Sequence, residues 1–292
     1  MLTADIQIRD PFILLHGGQY YMYGSTDKDI WKADGVGFDV YVGGDLENWR
    51  GPRPAFRPPE GFWGVKNFWA PEVYEYGGAF YMFASFIGPG YNRGTAVLKA
   101  PRPEGPFAPH SAGAVTPAEW MCLDGTLYID ENARPHMVFC HEWVQTGDGT
   151  LCSVELDDTL SRAVSPPIEL FASSDAAWSG KAYSPSNKIE GYVTDGCFPY
   201  RLTSGKLLML WSCVGEKGYC LGYAVSPSGL LRGPWLQAPE PLFAADGGHG
   251  MVFRSYGNKL LLALHRPNET PRERAMFIEV EETEDGLRRA DA

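Results

Sequence analysis

The sequence predicts an all-β chain folded as a single five-bladed β-propeller. Three observations carry that reading: a composition rich in turn formers and aromatics, one strand motif that returns five times, and a polar residue set ahead of each return. With 34 Gly, 23 Pro and 13% aromatic residues in 292, the chain suits many short strands joined by tight turns. A helical bundle would lose stability at each interior Gly and Pro.

The motif is first met at Gly18 to Ser25, GQYYMYGS, and returns at Gly78 to Ser85 as GAFYMFAS. RPHMVFC ending at Cys140, GKLLMLWS ending at Ser212 and NKLLLALH ending at His265 complete the series. Anchored on Met22, Met82, Met137, Met209 and Leu262, the spacings are 60, 55, 72 and 53 residues, enough for about four strands per unit, the size of a propeller blade. Ahead of each return stands a second short strand with a polar head: RDPFILL (Asp10), APEVYEY (Glu72), DGTLYID (Asp124), DGCFPYR (Asp195) and HGMVFRS (His249). EGPF at 104–107 and RGPW at 232–235 read as matching turns before outer strands. The expected blades run near 5–60, 61–118, 119–188, 189–243 and 244–292, and the Ser/Gly/Pro-rich SSDAAWSGKAYSPSNKIEG inside the longest spacing reads as a loop.

Charge and cysteine usage exclude several classes. A net charge of −11 with no Lys/Arg cluster gives nucleic acid no footprint. No apolar run approaches the roughly 20 residues that span a bilayer, and no secretory leader is evident at the start, so no membrane partner and a cytoplasmic location are expected. The six cysteines form no Cys-x-x-Cys pair and signal neither a zinc ribbon nor a redox motif; most lie in apolar runs, as buried free thiols do.

In a propeller the first strand of every blade lines the central axis, so equivalent ends converge on one opening. Asp10, Asp124 and Asp195 are then brought together, with Glu72 and His249 beside them. Clustered, buried carboxylates disfavour one another's charge, and at least one pKa rises. The chemistry that uses such a set is glycosidic cleavage, with one carboxyl protonating the leaving oxygen and another activating water.

RDPFI, WAPEV, DGTLY, TDGCFPY and GHGMVFR, in this order and over about residues 5–282, resemble glycoside hydrolase family 43. The resemblance implies a five-bladed propeller glycosidase that acts with inversion on small arabinose- or xylose-containing oligosaccharides, of the α-L-arabinofuranosidase or β-D-xylosidase type. By position, Asp10 matches the general base and Asp124 the aspartate that modulates the pKa of the acid. Asp195 stands at the general acid position, where the family usually has glutamate; Glu142 in FCHEWVQ is the alternative acid. Trp69, His249, His265 and Arg266 are the expected substrate-binding residues. No cofactor is required and no metal site is firm, although His249 could hold a water or a structural Ca2+ in the axial channel. The partner expected is a small oligosaccharide or glycoside, and nothing in the residues specifies an oligomeric state. A catalytically impaired sugar-binding propeller, or a related propeller glycosidase or phosphorylase with another sugar, is the alternative.

Overall fold

The computed structural model describes residues 1–291. It contains five antiparallel four-stranded sheets, each built from strands adjacent in sequence. The first sheet is β1 (Arg9–His16), β2 (Gln19–Ser25), β3 (Phe38–Gly43) and β4 (Arg50–Phe56). The second is β5 (Lys66–Tyr76), β6 (Ala79–Gly88), β7 (Tyr91–Ala100) and β8 (Ala108–Ala114). In the third, β9 (Cys122–Ile129) and β10 (Pro135–His141) lead through a one-turn helix α1 (Trp143–Thr146) to β11 (Thr150–Glu155) and β12 (Ile168–Ala172). A separate hairpin follows, β13 (Lys181–Ser184) with β14 (Ile189–Tyr192). The fourth sheet is β15 (Asp195–Arg201), β16 (Leu207–Gly215), β17 (Gly218–Ser226) and β18 (Leu236–Gln237). The fifth is β19 (Gly248–Arg254), β20 (Leu260–Arg266), β21 (Arg274–Thr283) and β22 (Gly286–Arg289).

First strands touch in a closed ring: β1 with β5, β5 with β9, β9 with β15, β15 with β19 and β19 with β1. The five echoes are the second strands. Their anchors Met22, Met82, Met137, Met209 and Leu262 are fully buried and lie opposite Ile13, Val73, Leu127, Pro199 and Val252. Large apolar side chains fill the wedges between neighbouring blades, Phe38, Phe56, Phe68 and Phe86 between the first two and Trp178 and Trp211 toward the fourth. All six cysteines are buried and free. EGPF and RGPW do precede outer strands, and each contains a cis Gly-Pro bond, as does Gly51-Pro52 in β4.

One expectation needs correction. The Ser/Gly/Pro-rich stretch is not all loop: β13 and β14 pair over Lys181↔Tyr192 to Ser184↔Ile189, so a blade boundary at 188/189 would cut a hairpin. The alternation that marks a strand is hidden there because the hairpin is largely solvent-exposed and has no apolar face to display.

Among the described residues, no strand of the fifth sheet pairs with the first, so side chains and single backbone bonds close the ring. The Arg9 guanidinium donates to Glu273 Oε1 at 3.0 Å, with Glu273 fully buried and Arg9 nearly so. Ile8 N–H donates to the Glu273 carbonyl, Arg274 Nε to the Ala4 carbonyl and Tyr256 N–H to the Tyr20 hydroxyl. Losing one partner of a buried ion pair strands the other, at about 3–5 kcal/mol. Glu273→Ala is therefore expected to lower unfolding stability in urea by about that amount; a loss below about 1 kcal/mol, the worth of an exposed pair, would mean that the seam does not depend on it.

Candidate active site

Each first strand carries a bulge at the same height, and the register of its pairing slips there in every blade. The bulged residue has positive φ: Asp10 (54°), Ala70 (46°), Asp124 (57°), Gly196 (57°) and His249 (50°). A left-handed residue inside a strand breaks the alternation of faces, so two consecutive side chains can turn toward the same opening. The residue before each bulge lies opposite the last residue of the echo: Arg9 with Ser25, Trp69 with Ser85, Leu123 with Cys140, Asp195 with Ser212 and Gly248 with His265. These two tiers make the pocket, which is lined by Arg9, Asp10, Trp69, Leu123, Asp124, Asp195 and His249, with Ile30 and Trp31 from the β2–β3 loop.

The echo's last residue also holds the bulge of the following blade. Ser25 Oγ accepts the Ala70 N–H at 2.9 Å, Ser85 Oγ that of Asp124 at 2.9 Å and Ser212 Oγ that of His249 at 2.8 Å. His265 Nδ1 accepts the Asp10 N–H at 3.2 Å and so completes the circuit from fifth blade to first. At the fourth blade the Gly196 N–H goes instead to Asp124 Oδ2 at 2.9 Å. A Cβ at Gly196 would stand 2.8 Å from His249 Cγ. That contact requires glycine at the bulge, so the fourth blade's carboxylate comes from the preceding tier, as Asp195.

The carboxyls sit in different fields. Burial works to raise Asp10, but His249 Nδ1 at 3.2 Å, the Arg9 guanidinium and the Ser25 hydroxyl at 2.6 Å more than offset it, and Asp10 lies below the usual range. His265 is driven down to about 3, chiefly by burial and by Arg9, and is neutral. With Nδ1 accepting from the Asp10 backbone, its Nε2 carries the proton and donates to Asn268 Oδ1 at 3.2 Å. Burial, then the charge of Asp10, pushes Asp124 up to about 8; burial, then Asp124, pushes Asp195 up to about 8. Two carboxyls that repel in this way titrate as a coupled pair, and neither readily loses its proton at neutral pH. Asp124 accepts a backbone N–H that can only donate, which favours its anion. Asp195 Oδ2 faces the Tyr219 hydroxyl at 3.1 Å, a partner that can donate or accept. Of the two, Asp195 is therefore the better suited to hold a proton.

The model of Glycosyl hydrolases family 43 matches residues 4–287. The chain belongs to this family. It is 39% identical to an endo-arabinase from Bacteroides thetaiotaomicron whose crystal structure superposes with a TM-score of 0.92 over 98% of both chains. An extracellular exo-α-(1→5)-L-arabinofuranosidase of Cellvibrio japonicus (strain Ueda107) is 25% identical over 180 residues, 56% of this chain and 48% of that protein. The chain thus spans about half the length of that curated relative. An α-L-arabinofuranosidase from Lactobacillus brevis, at 16% identity and a TM-score of 0.77 over 98% and 96% of the two chains, shares the fold.

Within this family 43 propeller, Asp10, Asp124, Asp195, Trp69 and His249 line one pocket, and four sequence-based expectations are revised. Glu72 is not at the rim. It lies two residues past the bulge, buried, held by the Tyr74 hydroxyl at 2.5 Å and pushed up to about 7 by burial. Glu142 is neither solvated nor in the pocket lining; it is buried at the start of α1 and ion-paired with Arg93. His265 is fully buried behind Asp10 with both ring nitrogens engaged, leaving no polar atom for a sugar, and Arg266 is exposed outside the pocket. Trp69 has one ring face covered by the Arg93 guanidinium, 4.3 Å from the ring centre, and its indole N–H donates to the Ile30 carbonyl.

Arg9, Trp31 and Tyr219 were not singled out from the sequence. Arg9 stands beside Asp10 in the quoted RDP, and a Trp among charged residues in KDIWKAD was the available sign of Trp31. Tyr219 gave none, since its partner lies on another strand. Among the described residues no three His, Cys, Asp or Glu side chains form a group fit to hold a metal ion.

Ser25 donates to Asp10 and also accepts the Ala70 N–H. Ser25→Ala is expected to raise the Asp10 pKa, followed by carbon-13 NMR of the carboxyl. An unchanged value would assign the depression wholly to the cationic neighbours.

Proposed function

We propose that this chain hydrolyses arabinose- or xylose-containing oligosaccharides with inversion of configuration, with arabinofuranosyl linkages as the first to test. The observation that carries this reading is three buried carboxyls lining one pocket in unlike surroundings: Asp10 held below the usual range, Asp124 and Asp195 both pushed up to about 8. Its sugar preference rests on family membership and on the endo-arabinase and exo-arabinofuranosidase relatives.

Asp10 takes a proton from a water as the water's oxygen attacks the anomeric carbon. Asp195 gives its proton to the glycosidic oxygen as the bond to carbon breaks. Two neutral products result, the new hydroxyl lying on the face opposite the lost group, and exchange with solvent restores both carboxyls. Asp124 passes no proton; its charge keeps Asp195 protonated. Arg9 and His249 hold Asp10 in its anionic form, and Trp31 and Trp69, both in the pocket lining, offer aromatic surface to a sugar ring. Glu142 is tied to Arg93 and is not among the pocket-lining residues, which favours residue 195 as the acid.

The active form needs Asp10 ionised and Asp195 protonated. Accordingly kcat/KM is expected to rise through a pKa below the ordinary carboxylate value of about 4 and to fall through one near 8. Asp10→Asn is expected to lose about 10²–10⁴-fold on every substrate, whereas Asp195→Asn loses that much on oligosaccharides and little on aryl glycosides, whose phenolate leaves unprotonated. The pattern is read from a series of aryl arabinofuranosides and xylosides with product stereochemistry by NMR. Retention, or leaving-group dependence that appears in Glu142→Gln and not in Asp195→Asn, would overturn the assignment.

A further inference from the structure

Beside the catalytic pocket, on the same face of the ring, the β6–β7 turn and the β8–β9 connection enclose a much larger groove. The pocket holds about 70 Å3 and the groove about 620 Å3. Its side-chain lining includes Trp63, Tyr91, Arg93, Thr116, Glu119 and Trp120. Tyr91 is 60% exposed, and its ring centre lies 5.6 Å from that of Trp63. Trp120 is backed by the stacked ring of His141 at 4.2 Å, which holds it in place from one side. Between these aromatic walls the polar atoms belong to few residues, an arrangement that suits a ring with two C–H faces and an edge of hydroxyls.

Arg93 joins the two cavities. It lines the groove, while its guanidinium covers the rear face of Trp69, which lines the pocket, and donates to Glu142 and to Asn67 Oδ1. Its Nε is buried and has no hydrogen-bond partner among the described residues. A buried unpaired donor is costly, and a ligand atom or water that reaches it is favoured. The charge of Arg93 is met by Glu142, so an acidic ligand gains little from it and a neutral polyol is suited.

We propose that this groove is a second sugar-binding site, which takes the portion of a pentose oligosaccharide lying beyond the residues in the catalytic pocket. Tyr91 and Trp63 form one stacking wall, Trp120 the other, and Arg93 the polar contact. The proposal rests on the hydrolase reading for its choice of sugar, and binding is therefore measured apart from turnover.

The protein carrying Asp10→Asn is titrated by calorimetry with linear α-1,5-arabinopentaose and with xylopentaose. Adding Tyr91→Ala is expected to weaken the pentaose that binds about tenfold, equivalent to about 1.4 kcal/mol. Tyr91 is exposed, so the fold should survive, and circular dichroism checks that it does. Gly113→Phe is the complementary variant: a Cβ there meets nothing within 4 Å, so the ring enters the groove without removing a contact. In the otherwise intact enzyme it should lower kcat/KM for the pentaose about tenfold and leave turnover of an aryl pentoside unchanged. Equal pentaose affinity with and without Tyr91→Ala, or no binding of either pentaose, overturns the second site. Weakened binding in a protein that turns over no pentoside overturns the hydrolase reading and leaves the second site standing.

Discussion

The site depends on one backbone constraint, the left-handed residue near the head of every first strand. A non-glycine residue there costs roughly 1–2 kcal/mol, and Asp10, Ala70, Asp124 and His249 all accept it. What holds them is a side chain near the end of the second strand of the preceding blade: Ser25, Ser85, Ser212 or His265 receives the N–H that the bulge has turned out of its own sheet. An N–H left buried and unpaired would cost about as much as the strain itself. The bulges and their acceptors therefore stand or fall together, and five blades that share few identical residues agree on the height at which their strands bend.

That agreement makes the electrostatics possible. Three buried carboxyls in one small pocket oppose folding, and their charges are kept apart by partners fixed to different blades. Asp10 takes its partners from the first and fifth blades, Asp124 from the fourth and Asp195 from Tyr219 within the fourth. A small shift of one blade against another would change which carboxyl is held ionised. The apolar wedges of Phe, Trp and Met between sheets keep such shifts small, because a close-packed interior does not deform gradually.

Much of this was legible in the sequence. The second strands were found because a buried strand between two sheets is apolar on both faces, and an unbroken run such as YYMY or LLML is hard to mistake. Asp10 and Asp124 were found because both occupy the bulge itself. Glu72 and Asp195 were set in the same register as those two, and they are not: the residues in register are Ala70 and Gly196, neither of which carries chemistry that attracts notice. The pairs Asp-Pro, Ala-Pro, Asp-Gly, Gly-Cys and His-Gly in the sequence mark the true alignment. Glu142 and His265 were misjudged for another reason. Their partners, Arg93 and the Asp10 backbone, are 49 and 255 residues away, and no local pattern reports a contact of that range.

The ring is closed by side chains and isolated backbone bonds across the joint between first and fifth sheets, where no strand is shared. Asp10 belongs to one side of that joint; His249 and His265, which face it, belong to the other. Every other neighbouring pair of blades is tethered covalently by its connecting loop, so this is the place where the circle can gape with the chain intact. A breach there would draw the carboxylate away from both imidazoles before any sheet had frayed. Mechanical integrity of the ring and chemical competence of the pocket are thus a single property, lost at the same place and in the same motion.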